Sequence, residues 1–295
     1  MNLRDRMMKL VLRDDVNFAL TNRLPRRFAT DMMGRLSRIE TPIVRTPSIG
    51  LWRFFADPDL SDARETRFRS LHHAFTRALK DGARAFAPEP DLLASPCDAI
   101  VGACGRIEEG RLYQVKGRDY ALADLLQDKI GPFANGLFAT LRLTAGMYHR
   151  FHAPHDLRVH SVRYIPGDVW NVNRPALKRV DRLYCRNERA VIHAELATSG
   201  LPILIVPVAA ILVAGLRFHF LGSDELLRCR GPRTIACEAK LAKGAEMGWF
   251  EHGSTIIVFA PPGASLCENV REEARIRTGA PLMRLPAADA GGKPA

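Results

Sequence analysis

The chain is expected to adopt an α+β fold, a helical N-terminal region followed by a mostly antiparallel β domain. Three observations predict it. Apolar residues recur at helical spacing through roughly the first 85 positions. After that the chain breaks into short apolar runs separated by Gly, Pro, Asn and Asp, the texture of strands joined by turns. Hydrophobic content of 47% and charged content of 25% are ordinary for a soluble globular protein, and 295 residues can bury a sizeable core.

The elements come in order along the chain. Phe28, Met32, Leu36 and Ile39 form one helical stripe, with Arg27, Arg35 and Arg38 alongside. Residues 1–50 carry ten Lys/Arg against five Asp/Glu, a surplus of five positive charges. A basic amphipathic helix of this kind can lie in an anionic bilayer surface. The same pattern also fits a core-facing helix with a solvated basic side. A second helix is expected from Ser70 to Lys80, with Leu71, Phe75 and Leu79 on one face and Asp81-Gly82 as its stop. Strands are expected at Ala99–Cys104, Leu112–Val115, Leu137–Leu143, Val159–Ile165, Ala190–Leu196, Thr234–Cys237 and Thr255–Phe259. A short helix, Leu122–Leu126, interrupts them. The apolar segment from Leu201 to Leu216 is too short for a spanning helix and is broken by Pro202, Pro207 and Gly215. Its β-branched content predicts buried strands instead. From Pro281 the chain is rich in Ala, Gly and Pro, which predicts a flexible tail. The expected organisation is therefore a helical region over 1–85, a β-rich domain over 86–280 and a tail over 281–295.

A formal net charge of +11 favours anionic partners. There is no zinc-finger spacing, no aromatic-basic RNA motif and no long lysine or arginine run. Nucleic acid is not expected as a partner, and an anionic membrane surface ranks above it. The six cysteines form no C-x-x-C pair, and the N-terminus has no apolar secretory core. Reduced thiols in a cytoplasmic protein are expected.

Four places hold candidate chemistry. Asp98 follows Pro96-Cys97 in a turn before a strand; a turn aspartate often does no more than cap backbone amides. His149 and His152 stand three apart in Tyr148-His149-Arg150-Phe151-His152-Ala153-Pro154. No third ligand lies at a telling spacing, so no metal is expected. Asn171-Val172-Asn173 and Arg186-Asn187-Glu188-Arg189 are polar stretches between strands, which a solvated loop would also explain. The Gly253-Ser254 bond opens the apolar run Thr255–Phe259. It can be a plain strand start or a self-cleavage site. No G-x-S-x-G elbow and no phosphate-binding glycine loop occurs.

Taken together, these segments resemble the pyruvoyl-dependent phosphatidylserine decarboxylases, over about Leu71 to Gly263. Ser70-Leu71-His72-His73-Ala74-Phe75-Thr76-Arg77 and Lys80-Asp81-Gly82-Ala83-Arg84 are similar to that family's lead-in. Pro96-Cys97-Asp98 matches its P-x-D, and Val115-Lys116-Gly117-Arg118-Asp119-Tyr120-Ala121-Leu122 its K-G-x-x-Y-x-L. Tyr148 to Pro154 matches its Y-H-R-x-H-x-P closely. Tyr164-Ile165-Pro166-Gly167-Asp168 and Arg186-Asn187-Glu188-Arg189 match P-G-x and R-N-E-R. Lys243 to Phe250, leading into Gly253-Ser254-Thr255, resembles the processing region.

The resemblance implies that Ser254 attacks the Gly253 carbonyl, with His152 as base and Asp98 orienting it. The chain would part into residues 1–253 and 254–295, leaving a covalent pyruvoyl cofactor at position 254. That group would decarboxylate phosphatidylserine to phosphatidylethanolamine through a Schiff base, with His149 protonating the carbanion. It further implies a peripheral protein at the cytoplasmic face of the cell membrane, and a homodimer. Three positions depart from the family pattern. Met147 stands where an aspartate is usual before Tyr-His, Ala99 where glycine is usual, and His252 where leucine is usual. Met147 motivates the alternatives: a decarboxylase of another amine, or an unprocessed membrane-associated homologue. A Ser-His-Asp ester hydrolase is a more distant one.

Overall fold

The computed structural model describes residues 13–23, 25–211, 215–222, 231–251 and 254–286. Four helices come first: α1 (Asp14–Asn22), α2 (Arg26–Leu36), α3 (Pro42–Ala56) and α4 (Leu71–Phe75). Pro42 opens α3, where its fixed φ suits the first turn and its missing N–H costs nothing. Next come β1 (Leu92–Ala94), β2 (Ala99–Arg106), β3 (Arg111–Val115), β4 (Arg118–Ala121), α5 (Leu122–Leu126), β5 (Leu137–Arg142), β6 (Arg150–His152) and β7 (Leu157–Ile165). After α6 (Arg174–Arg179) and α7 (Leu183–Arg186) come β8 (Arg189–Leu196), β9 (Pro202–Ala209), β10 (Leu216–Phe218), β11 (Arg233–Leu241) and β12 (Glu246–Phe250). The described chain ends with β13 (Ser254–Ala260), β14 (Ser265–Leu266), β15 (Arg275–Ile276) and β16 (Pro281–Arg284). The architecture is α+β, as the sequence predicts.

The principal sheet has eight strands in the order β11-β7-β8-β9-β13-β5-β2-β15, and every neighbouring pair is antiparallel. β13 lies inside it, between β9 and β5, and all seven of its residues are buried. The strand expected at Thr255–Phe259 is present, and it is central. Its unbroken Ile256-Ile257-Val258-Phe259 run is what a strand covered on both faces requires. β9 is buried from Ile203 to Ala209, so that part of the long apolar segment is strand and not a membrane span. Among the described residues no helix is long and apolar enough to cross a membrane. A second, smaller core of Trp52, Phe68, Leu71, Ala74 and Phe75 sits under the helices.

Three expectations change. The helix expected from Ser70 to Lys80 stops at Phe75. Arg150 donates to the Thr76 carbonyl through Nε (2.9 Å) and Nη2 (2.7 Å), and Leu79 pairs in a bridge with Ala63. Tertiary partners take the backbone groups that a longer helix would use. The expected tail begins as a strand: β16 pairs with β1 on one side and β14 on the other. Leu282 and Met283 are fully buried there, so packing outweighs the Ala-, Gly- and Pro-rich composition of the C-terminal stretch. Residues 287–295 lie outside the described residues. Finally, the apolar stripe of α2 faces outward, with Phe28 63% exposed, Met32 45% and Leu36 44%. That stripe does not face the core, which the helix meets through Met33 instead.

Candidate active site

Ser254 is the first residue of β13. Its carbonyl accepts from the Leu143 amide at 2.8 Å, and its register partner across the other edge is Ala209. The side chain is fully buried, and Oγ has no hydrogen-bond partner among the described residues. Burying an unpaired hydroxyl costs about 1–3 kcal/mol, so a hydroxyl at this position works against stability. His252 and Gly253, and with them the expected scissile bond, lie outside the described residues. The flanking chain is held on both sides, because the Phe250 amide donates to the His149 carbonyl at 2.9 Å. Phe250 and Ser254 thus each bond one end of the loop 143–149 that carries the first histidine.

His149 is fully buried, with its ring 5.3 Å from the Phe75 ring. His152, on β6, has both ring nitrogens engaged: Nδ1 with the Gly244 carbonyl and Nε2 with the Tyr148 hydroxyl, each at 3.0 Å. A carbonyl can only accept, so Nδ1 carries the proton and Nε2 accepts from Tyr148. Burial, the largest cause, pushes the imidazole below its ordinary pKa, against the opposing effect of the Gly244 carbonyl. His152 is thus the neutral tautomer with an acceptor at Nε2, the form a general base needs. Burial also pushes the Tyr148 phenol up, keeping it a hydrogen donor.

Asp98 differs from expectation. Its carboxylate is gripped by Arg84, through Nε to Oδ1 at 2.9 Å and Nη2 to Oδ2 at 2.6 Å. The Thr278 amide and hydroxyl each donate to Oδ1 at 2.9 Å. Burial raises the carboxyl pKa, but these donors outweigh burial and hold it below the usual range. The Gly244 carbonyl, not Asp98, is hydrogen-bonded to His152 Nδ1. A guanidinium fork satisfies a carboxylate better than an imidazole N–H does, which is the physical reason. Asp98 stays close through the backbone, since the His152 amide donates to the Pro96 carbonyl at 2.8 Å.

A cavity of about 660 Å³ lies between the helices and this end of the sheet. Met33, Leu51, Trp52, Phe75, Leu143 and Ala210 are among the residues lining it. Leu143 bonds Ser254, and Ala210 follows its strand partner Ala209, so the cavity adjoins the serine. The loop below it is fastened by Trp52 Nε1 to the Ala145 carbonyl (2.8 Å) and Arg77 Nη2 to the Gly146 carbonyl (3.0 Å). A Cβ on Gly146 would come within 2.4 Å of the Ala56 carbonyl oxygen, so only glycine lets α3 approach. Met147 closes this loop, its amide donating to the Thr144 carbonyl at 3.0 Å.

The Arg186–Arg189 stretch is not a solvated loop. Asn187 and Arg189 are fully buried. Asn187 Nδ2 donates to the carbonyls of Trp170 and Ala209, each at 2.8 Å, and Oδ1 accepts from the Trp170 amide at 2.9 Å. Arg189 donates to the carbonyls of Leu125, Cys185, Asn187 and Asp124. These residues brace Ala209, the neighbour of Ser254, and touch no reacting atom. Asn187→Ala leaves three backbone groups, buried or part-buried, without this partner, and unfolding in urea is expected to show a loss of about 3 kcal/mol.

Sequence reasoning missed Arg84, Tyr148, Gly244 and Thr278 as neighbours of the candidate residues. Tyr148 and Gly244 lay inside the family-like motifs without a role. Nothing in the spacing joins Thr278 to Asp98 across 180 positions.

The phosphatidylserine decarboxylase family profile matches residues 71–284. The proenzyme so named from Xanthomonas campestris pv. campestris (strain B100) is 35% identical over 277 residues, covering 90% of this chain and 97% of that protein. The one from Pseudoalteromonas translucida (strain TAC 125) is 31% identical over 285 residues, covering 92% and 98%. The one from Alcanivorax borkumensis is 34% identical over 277 residues, covering 90% and 94%. These likenesses define a carboxy-lyase. The chain belongs to the phosphatidylserine decarboxylase family.

Proposed function

We propose that this decarboxylase matures by self-cleavage at Gly253-Ser254 and acts on phosphatidylserine at a membrane surface. The observation that carries the reading is Ser254 itself, a buried hydroxyl without a partner among the described residues at the head of the central strand. A serine kept there against its cost in stability is consistent with a chemical use.

In the first step Oγ loses its proton to His152 and attacks the Gly253 carbonyl carbon; the C–N bond breaks and an ester forms. Loss of the Ser254 α-proton then expels the Gly253 carboxylate and leaves a dehydroalanine at 254. One water releases ammonia and leaves the pyruvoyl group. When present, that group supplies a ketone that takes the substrate amine as a Schiff base and accepts the electron pair freed with carbon dioxide. His149 is assigned the proton returned to carbon. Its burial beside Phe75, which lines the cavity, supports that assignment. The cavity offers apolar volume for the lipid, beside a serine whose conversion needs water excluded.

The membrane reading rests on α2 and α3. Phe28, Met32, Leu36, Ile43 (87% exposed), Leu51 and Phe54 are the exposed large apolar side chains among the described residues, and all lie on these two helices. Arg27, Arg35 and Arg53 are exposed beside them. An apolar face rimmed by cations suits an anionic bilayer surface. Phe28→Ser combined with Ile43→Ser is expected to weaken binding to phosphatidylserine-containing vesicles by about a hundredfold or more, by removing roughly 1.5–3 kcal/mol of apolar burial per site. Sedimentation with vesicles measures it, and the fraction cleaved should not change.

Intact mass of the purified protein tests the core of the reading. Two fragments with a blocked N-terminus at residue 254 are expected. One full-length species, unchanged on incubation, would reject it. Carbon dioxide released from free amino acids and not from phosphatidylserine vesicles would instead favour another amine substrate, the alternative that Met147 motivates.

A further inference from the structure

Glu251 is a carboxylate where an apolar residue would be expected. Its side chain is 3% exposed, and it stands three residues before Ser254 on the upstream arm of the proposed scissile bond. Burying a carboxylate is costly unless cations and donors surround it. Arg38 Nη2 reaches both oxygens, at 2.6 and 2.7 Å, and Arg217 Nε reaches Oε1 at 3.3 Å. The Glu251 amide donates to the Gly215 carbonyl at 3.2 Å.

The two arginines come from different layers. Arg217 lies on β10 opposite Trp249 of β12, within the β region. Arg38 belongs to the helical layer, two residues after the end of α2. Its neighbour Ser37 accepts from the His72 amide at the head of α4 at 2.8 Å, which fixes the origin of the arm. Arg38 is still 48% exposed, so it reaches inward from the surface to a buried acceptor. The Arg38–Glu251 contact thus links the layer that lines the cavity to the end of the strand that leads to the bond.

We propose that Glu251 is a positioning residue for self-cleavage, and that Arg38 makes cleavage depend on the helical layer being docked. The proposal rests on self-cleavage at Gly253-Ser254. Attack needs Oγ and the Gly253 carbonyl aligned to within a fraction of an ångström. The downstream side is already fixed by the pairing of β13. The upstream side is anchored by Glu251, and displacement of α2 loosens it through Arg38.

The test is pulse–chase of the full chain made by cell-free translation, following the appearance of the 254–295 fragment. Glu251→Gln and Arg38→Ala are each expected to slow cleavage by about tenfold or more. The double variant should be no slower than the slower single one, because both remove one contact. Arg38→Lys should recover part of the rate. Carbon dioxide released per cleaved chain should stay within about twofold of wild type, which a general loss of fold would not allow. Arg38 is half exposed, so its variant keeps the proposal testable if Glu251→Gln misfolds. Wild-type rates in both single variants, or multiplied effects in the double, would overturn the proposal while leaving self-cleavage intact. A wild-type chain that never cleaves would overturn both.

Discussion

Ser254→Ala is expected to remain one full-length polypeptide and to release no measurable carbon dioxide from phosphatidylserine vesicles. The substitution removes the nucleophile and the oxygen through which the Gly253 carboxylate would leave, so neither half of the cleavage can occur. No pyruvoyl group can then form, and no other residue supplies an equivalent ketone. The stability effect should run the other way. The lost hydroxyl is buried and unpartnered among the described residues, so its removal should leave the melting temperature unchanged or raise it. This combination separates a chemical role from a structural one. Dead activity in a protein at least as stable as wild type supports the assignment. Cleavage of the alanine variant at any position near 254 would remove the serine from the mechanism.

His152→Ala carries the second largest effect. Loss of a general base slows proton transfer by about 10²–10⁴-fold, and cleavage should slow accordingly. The wild-type pH profile has a definite sign. The proposed base is the neutral imidazole, and burial holds its pKa below the ordinary 6.5. Cleavage should be flat through neutral pH and fall only as pH drops below 6.5. Tyr148→Phe tests the cause. The Tyr148 hydroxyl donates to Nε2 at 3.0 Å and so favours the neutral ring. Without it the imidazole protonates more readily, and the fall should move to higher pH. Glu246 and Asp98 favour the protonated ring and Arg150 opposes it, but none of the three is removed by this variant. A profile unmoved by Tyr148→Phe would show that the hydroxyl does not tune the base.

Much of the strand framework was legible because it rests on local chemistry. β13 announces itself in Thr255-Ile256-Ile257-Val258-Phe259, whose β-branched and aromatic side chains suit a pleated, buried surface. Leu122–Leu126 was found as a helix with the same bounds, since its apolar spacing is short-range. The helix expected through Lys80 was cut short because Arg150, 74 positions away, claims the Thr76 carbonyl. No periodicity within residues 70–80 reports that. β16 was hidden for a similar reason, since its strand character comes from pairing with β1 and β14 and not from its own composition.

The candidate site divides in the same way. The family resemblance pointed to Ser254, His149, His152 and Asp98, because motif residues and their order are written in the chain. Their hydrogen-bond partners were not written there. Arg84 takes Asp98, Gly244 and Tyr148 take His152, and Arg38 takes Glu251.

By itself, the sequence determined the fold class, the strand at Thr255–Phe259 and the family to which the chain belongs. Only the tertiary structure decided which way the α2 stripe faces, which donor each carboxylate accepts from, and which tautomer His152 holds. Strand and helix preferences arise from neighbours a few positions apart, so they can be read along the chain. Partner choice is a competition among groups brought together from distant positions, and burial sets the stakes of that competition. It is resolved only once the chain is folded.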